Sequence, residues 1–458
     1  MLTDSGYQEF LDKKSQWNNA SGFEPNWMPD YLFPFQQYLV YWAIHMGRCA
    51  IYADCGLGKS PQELVWAENV KRHTGKPVLL VTPLGVTFQM EKEAQKFGID
   101  ASISRDGRVR SGVTITNYER LEKFNPDQFG GLVCDESSAI KSFDGKRRAI
   151  VTEFMRILPY RLLGTATAAP NDYIELGTSS EALGYLGHMD MLARFFTNKD
   201  RTSKSRGGRW RAVGGEKWRF KGHAEDVFWQ WVSSWARAVR KPSDLGFDDN
   251  GFVLPELTQR QHLVHPRVPD TETPSIGLHE ERRKARITIE ERCEKAAALL
   301  FNARHGVAWC QLNPEGQLLA HLIKGSVEVS GSDSVDAKEE KLAAFSRGEI
   351  RVLITKPSIG AWGMNWQHCH RMTYFPSYSY EQYYQAVRRS WRFGQTNPVE
   401  IDVITTEGGM GSLAALERKA TQADRMFDAL TMHMRNAVSI QRGDNYDQKV
   451  KVPTWVTC

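Results

Sequence analysis

Residues 53–60 read Ala53-Asp54-Cys55-Gly56-Leu57-Gly58-Lys59-Ser60. An apolar run, Cys49-Ala50-Ile51-Tyr52, precedes them, and a helical pattern from Pro61 to His73 follows. Strand, glycine turn and helix in that order form the setting in which a phosphate-binding loop works. Glycines at 56 and 58 let backbone N–H groups curl around phosphate oxygens, where a Cβ would block the approach. The helix N-terminus adds partial positive charge at the same spot. In this reading Lys59 reaches the β- and γ-phosphates of a nucleotide and the Ser60 hydroxyl ligates Mg²⁺. Ala53 stands where the strict pattern has glycine. The alternative for these eight residues alone is a glycine turn ahead of a surface lysine.

A chain of 458 residues is too long for one ordinary core and implies two or three domains. Its 41% apolar and 25% charged residues are those of a soluble globular protein, and a net charge of +5 barely favours a nucleic-acid partner. The seven cysteines form no C-x-x-C pair, and Cys49, Cys134 and Cys310 sit in apolar runs as buried free thiols. That pattern suggests neither a disulfide framework nor a zinc site, and it fits a reducing cytoplasm. No apolar stretch reaches the length of a membrane span, and Asp4 and Glu9 do not suit a signal peptide.

Upstream of the loop, residues 32–36 read Leu-Phe-Pro-Phe-Gln and lead into an amphipathic helical pattern. The Gln36 carboxamide can both donate to and accept from an adenine edge. Downstream, apolar runs at 78–82, 113–116, 131–135 and 160–165 alternate with helical patterns such as 86–97. Buried strands between amphipathic helices imply a parallel α/β sheet, in which ligands gather at strand C-termini. The run 131–135 ends in Asp135-Glu136 about 75 residues after the phosphate loop. An acid pair at a buried strand tip needs a cation opposite, which assigns Asp135 to Mg²⁺ and Glu136 to an attacking water. An ordinary helix N-cap is the alternative. Thr82-Pro83 and Thr165-Ala166-Thr167 also follow strands; such hydroxyls either bind phosphates or form turns.

Together these segments resemble the first lobe of a superfamily-two helicase motor, most closely the Swi/Snf-type double-stranded DNA translocases. The matching motifs are 32–36, 53–60, Thr82-Pro83, Asp135-Glu136 and 164–167. Ser137-Ser138 stands where the family often has alanine-histidine.

Between 199 and 221 there are nine Lys or Arg against Asp200 and Glu216, with Trp210 and Trp218 interleaved. Basic and aromatic residues in alternation suit phosphate contact plus stacking, which makes Arg206, Arg209, Arg211 and Trp210 candidate DNA contacts. A solvated hairpin or loop is the alternative. Residues 224–240 follow as a packing helix with Phe228, Trp231, Trp235 and Val239 on one face, and 242–255 read as a linker.

After a charged helix at 280–304, strands at 306–310, 327–330 and 351–355 alternate with helices at 315–323 and 337–347. This second α/β lobe has no phosphate loop of its own, so one nucleotide is expected between the two lobes. Residues 360–365 resemble the family's fifth motif, which brings Gly363 and Asn365 to the nucleotide. Residues 385–396, from Gln385 to Thr396, resemble the sixth. Arg389 and Arg392 share a helical face and could cross the cleft, and the planar guanidinium matches phosphate oxygens. A basic helix end is the alternative. Trp391 replaces the family's histidine.

The resemblance spans roughly 32–185 and 300–410. It implies two RecA-like parallel-sheet lobes with an ATP cleft between them and an inserted basic, aromatic segment. The expected layout is a first lobe with N-terminal extension at 1–187 and an inserted DNA grip at 188–260. A second lobe at 261–410 and a helical tail at 411–458 complete it. The expected cofactors are ATP and Mg²⁺, held by Lys59, Ser60 and Asp135, with Glu136 acting on water and Arg389 and Arg392 on the γ-phosphate. Thr82, Thr116, Asn117 and Lys356 are candidate backbone contacts to double-stranded DNA. The expected function is a DNA helicase or double-stranded DNA translocase. The rivals are an RNA helicase and a non-translocating ATP-dependent DNA-binding subunit of a restriction, repair or replication complex.

Overall fold

The computed structural model describes residues 20–142, 145–198, 218–267, 278–360, 364–406 and 409–442. The apolar runs on either side of the phosphate loop become neighbouring strands. They are β1 (Arg48–Ala53), β2 (Val78–Thr82), β3 (Ala101–Ile103), β4 (Val113–Asn117), β5 (Gly131–Asp135) and β6 (Tyr160–Gly164). A short antiparallel pair follows, β7 (Phe196–Asn198) with β8 (Trp218–Phe220), and then β9 (Ala236–Val239). Every pairing within the first sheet is parallel, in the order β3-β4-β2-β5-β6-β1-β9. Leu79, Leu80, Val81, Leu132 and Val133 are buried on both faces, which explains continuous apolar runs in place of alternation. Because β2, β5, β6 and β1 are adjacent, Thr82, Asp135, Thr165 and Asp54 arrive at one edge.

The second sheet contains β10 (Leu257–Val264), β11 (Gly306–Trp309), β12 (Ser326–Val329), β13 (Val352–Thr355), β14 (Arg371–Tyr374) and β15 (Val399–Thr406). Its order is β10-β15-β14-β11-β13-β12, again all parallel. Alternate residues enter opposite cores: Val307, Trp309 and Leu353 on one face, Ala308, Val352 and Ile354 on the other. The protein is therefore α/β with two parallel-sheet lobes.

Three segments depart from the expected layout. The helical pattern over 224–240 stops at Trp235, and residues 236–239 become β9, seated on the open edge of β1. Phe228, Trp231 and Trp235 do share a face, and it is buried in the first-lobe core. Much of 188–260 is thus built into the first lobe, because pairing with β1 overrides local helical periodicity. The second sheet begins at Leu257, ahead of the expected 261. The charged helix at 280–304 is two helices, Leu278–Ile287 and Ile289–Leu299, separated at Thr288, whose hydroxyl donates to the Lys284 carbonyl.

The tail folds as a helix, Met410–Arg442. Leu413 and Leu416 lie in a second-lobe core, while Met426, Phe427, Leu430 and Met434 lie in the first-lobe core. The helix therefore joins both lobes. The six described cysteines, Cys49, Cys134 and Cys310 among them, are buried free thiols. Among the described residues no helix is long and apolar enough to cross a membrane.

Candidate nucleotide site and nucleic-acid contacts

The phosphate loop springs from a strand held on both sides, by β6 and by β9. The Asp54 N–H continues the β9 ladder by donating to the Val239 carbonyl at 2.9 Å. Gly56 and Gly58 have φ of 91° and 75°, a left-handed backbone that favours glycine. Space demands glycine as well. A Cβ on Gly58 would lie 2.3 Å from Gln36 Nε2, and one on Gly56 would lie 2.7 Å from the Phe393 backbone N. Phe393 belongs to the second lobe, so the loop is closed over by the opposite side of the cleft. There Phe393 stacks on Phe252 at 4.8 Å, and Phe33 meets Phe252 edge-on at 5.0 Å.

Gln36 braces the loop. Its Nε2 donates to the Leu57 carbonyl at 2.9 Å and its Oε1 accepts from the Phe33 N–H at 3.0 Å. Both ends of the carboxamide are thus engaged by backbone. The helix Lys59–Thr74 starts at the loop, with Gly58 as its cap and Ser60 half-buried in its first turn. Lys59 Nζ donates to the Ala53 carbonyl at 3.0 Å. Burial alone would lower the ammonium's pKa, but Cys55, Glu136, Asp135 and Asp54 together outweigh burial and raise it. Lys59 is thus a cation held among acids, as a phosphate ligand needs.

Asp135 and Glu136 sit at the tip of β5, both buried. Each is held by a strand-tip threonine. Thr82 Oγ1 donates to Asp135 Oδ2 at 2.8 Å, and Thr165 Oγ1 donates to Glu136 Oε2 at 3.2 Å. Glu136 has φ 50°, ψ 52° and is the single non-glycine with positive φ among the described residues. Such a conformation costs on the order of 1 kcal/mol and aims the side chain away from the strand's own line.

A third carboxyl, Glu63, lies one helical turn after Lys59; it is 1% exposed and neither oxygen has a hydrogen-bond partner. It fits because residue 164 is glycine: a Cβ there would lie 1.9 Å from Glu63 Oε1.

Burial, and then Glu136, push the Asp135 carboxyl up from 3.8 to about 7. Burial, and then Asp135, lift Glu63 well above the usual range. Both groups bind protons more tightly in the folded chain than in the unfolded one. Folding therefore takes up protons between about pH 4 and pH 7, and stability falls as pH rises through that window. Melting temperatures of the nucleotide-free protein are expected to drop over that range, and Glu63→Gln is expected to flatten the dependence. A variant slope equal to the wild-type slope would remove Glu63 from the linkage.

Across the cleft, the helix Tyr380–Val387 and the residues after it present one face to the first lobe. Gln385 Nε2 lies 3.5 Å from both Glu136 oxygens. Gln385 Oε1 accepts from Arg389 Nη2 at 2.7 Å, and Arg389 Nη1 donates to the Met364 carbonyl at 3.1 Å. Arg389 is therefore buried and coupled to Glu136 through Gln385. Arg392 is half-buried and its Nε has no hydrogen-bond partner. Burial, then Arg389, lower its pKa to about 10, the response of a cation beside another cation. Glu381 pairs with Lys141, and Arg388 and Tyr384 both engage Asp54. Sequence reasoning assigns no role to Gln385, Arg388, Tyr384, Asp54 or Glu63. The spacing 381, 384/385, 388 is the available signal for Tyr384, Gln385 and Arg388, because it marks one helical face. The helix ends at Val387, so Arg389 and Arg392 lie in the turns beyond it and not on the shared helical face expected of them.

The candidate nucleic-acid residues are divided. Thr82 is buried and spent on Asp135. Thr116 is buried and donates to the Ser104 carbonyl at 3.0 Å, and Asn117 is buried with Oδ1 unpartnered. All three side chains are thus buried at strand ends. Lys356 is half-buried and borders an opening with Arg286, Gln311 and Asn313. Asn365 is exposed, next to the carbonyl that Arg389 binds. Gly363, Arg206, Arg209, Trp210 and Arg211 lie outside the described residues. Residues on either side of 199–217 form the β7–β8 pair, where Phe196 stacks on Phe220 at 4.6 Å.

No family model and no curated protein matches the chain. Among solved structures it is similar to the Sulfolobus solfataricus SWI2/SNF2 ATPase core in complex with dsDNA. That likeness has 16% identity and a TM-score of 0.42, covering 92% of this chain and 98% of that one.

Proposed function

We propose that this protein is an ATP-dependent nucleic-acid motor, a DNA helicase or double-stranded DNA translocase, that hydrolyses Mg-ATP between its lobes. The observation that carries this reading is the meeting of two half-sites in one cleft. Lys59, Asp135 and Glu136 come from the first lobe, and Gln385, Arg389 and Arg392 come from the second. The residues suit a polyphosphate. The glycine loop leaves no room for a Cβ, Lys59 is charged, and Arg392 keeps a buried N–H unpartnered.

Asp135 and Ser60 would hold the metal, since a carboxyl whose pKa is pushed up to about 7 by burial and then by Glu136 gains from a divalent cation. Mg²⁺ supplies neutralisation of phosphate charge when bound. Glu136 orients water and accepts its proton, with Thr165 and Gln385 fixing the carboxylate. Lys59, Arg389 and Arg392 stabilise the charge that spreads over the γ-phosphate oxygens in the transition state. Since half of these groups sit on each lobe, hydrolysis is tied to lobe closure; DNA that favours the closed state tightens nucleotide binding by linkage, and by assembling both half-sites it is expected to stimulate turnover.

ATPase assays with duplex DNA, single-stranded DNA and RNA test the reading, beside triplex displacement and forked-duplex unwinding. Stimulation by duplex DNA with triplex displacement supports a translocase, and unwinding supports a helicase. Stimulation by RNA alone, or DNA binding without movement, overturns the proposal.

The segment 199–221 carries a net +7, from nine basic and two acidic residues. We propose it as the DNA grip. Removing one cation from a phosphate should reduce the salt slope of binding by about 0.7–0.9. Replacing Arg206, Arg209 and Arg211 with Ala is expected to weaken duplex binding and flatten its salt dependence. ATP hydrolysis without DNA is expected to be unchanged. An unaltered salt slope would leave the segment a solvated loop.

A further inference from the structure

We infer that Asp54, Arg388 and Tyr384 form an interlobe latch that sets the phosphate loop against the arginine pair, making Asp54 and Arg388 positioning residues for hydrolysis. The inference rests on the ATPase reading for its kinetics and on geometry alone for its conformational part.

Asp54 is the residue directly after β1, 3% exposed, and its hydrogen-bonding capacity is turned to one purpose. Its backbone N–H is held by Val239. Oδ1 accepts from the Cys55 N–H at 2.6 Å and from the Tyr384 hydroxyl, and Oδ2 accepts from Arg388 Nη2. Arg388 is equally committed. Nη1 donates to the Trp391 carbonyl at 3.2 Å, and the guanidinium lies 4.3 Å from the Trp391 ring and 5.3 Å from the Tyr384 ring. Arg388 and Asp54 stand 334 residues apart in the chain, one on each lobe.

A buried ion pair adds little net stability, because desolvation offsets its attraction, but it tolerates few geometries. That stringency suits a joint between moving bodies. Arg388 caps the helix, directly precedes Arg389 and lies four residues before Arg392. Fixing its guanidinium on the loop therefore fixes the arginine pair relative to the triphosphate. Glu381 extends the same face back along the helix and reaches Lys141, also on the first lobe. Lys141–Glu381 is partly exposed, whereas Asp54–Arg388 is sealed by Tyr384 and Trp391, so the latter discriminates more sharply between open and closed cleft.

The test uses the full chain with Asp54→Asn, Arg388→Gln, the double variant and Tyr384→Phe. Small-angle scattering without nucleotide reads the lobes, and steady-state kinetics read the chemistry. Each charge-removing single variant is expected to enlarge the radius of gyration. Each is also expected to lower kcat on the order of 10²-fold, with a much smaller change in KM, as small misplacements of catalytic groups do. The double variant is expected to lose no more than the worse single, because both changes break one contact. Tyr384→Phe, which removes one hydroxyl, is expected to shift both readouts in the same direction less strongly, and it keeps the test alive should a charge variant fail to fold. Multiplying losses in the double variant, or unchanged scattering in every variant that folds, overturns the latch. A wild type with no ATPase activity would overturn the motor reading instead, while the scattering would still decide the latch.

Discussion

Lys59→Ala is expected to abolish ATP hydrolysis and weaken nucleotide binding, whereas Glu136→Gln should keep ATP bound and stall turnover. The contrast follows from where each group sits. Lys59 donates to the loop carbonyl of Ala53, and Cys55, Glu136, Asp135 and Asp54 around it raise its pKa against the effect of burial. Its loss removes a cation from the ground state and the transition state alike, so binding and rate both suffer. Glutamine at 136 keeps the shape that Thr165 and Gln385 hold and removes only the capacity to take a proton. General-base catalysis typically contributes about 10²–10⁴-fold, so turnover should fall by that order with nucleotide affinity near wild type. Equilibrium binding of a fluorescent ATP analogue and steady-state phosphate release measure the two effects. Hydrolysis within a few-fold of wild type in Glu136→Gln would falsify the role given to the acid pair.

Arg392→Ala is expected to cut turnover on the order of 10³-fold while leaving DNA affinity nearly intact. Arg392 retains an unpartnered buried N–H and is repelled by Arg389, so the arriving charge of a γ-phosphate relieves both. Arg389→Ala is expected to cost less. Its three hydrogen bonds, to the Gln385 carbonyl, Gln385 Oε1 and the Met364 carbonyl, give it a partly supporting role. Single-turnover hydrolysis beside DNA-binding isotherms separates the outcomes. Weakened DNA binding at unaltered turnover would make the turns after the helix a nucleic-acid contact and withdraw the arginine assignment.

Much of the candidate site's local geometry was legible because a phosphate-binding reading asks for particular residues at short range. Gly56, Gly58, Lys59 and Ser60 occur within five positions, and the loop, strand and helix around them are local structures set by periodicity and chain stiffness. The strand runs before Asp135 and Thr82 were equally plain, since strands buried on both faces must be apolar throughout. Side-chain direction was not legible. Thr82, Thr116 and Asn117 look alike as strand-tip polar residues, and only sheet order brings Thr82 beside Asp135 and turns Thr116 toward Ser104. Glycine at 58 leaves the room through which the Gln36 carboxamide reaches the Leu57 carbonyl, a contact between residues 21 positions apart that leaves no local pattern.

The two α/β lobes, the glycine loop, the acid pair and the helix that leads into the arginine pair can all be read from the chain before it folds. Each is encoded over a few to a dozen neighbouring residues, where spacing specifies backbone form and face. Long-range packing settled what remained. Residues 236–239 left a helical pattern for a strand because the edge of β1 offered four backbone partners that no local turn could match. The tail became a helix packed into both lobes because apolar residues at different points along it enter different cores. Asp54 met Arg388 across 334 residues because two sheets of fixed strand order face each other, and a pairing at that separation leaves no trace in local periodicity.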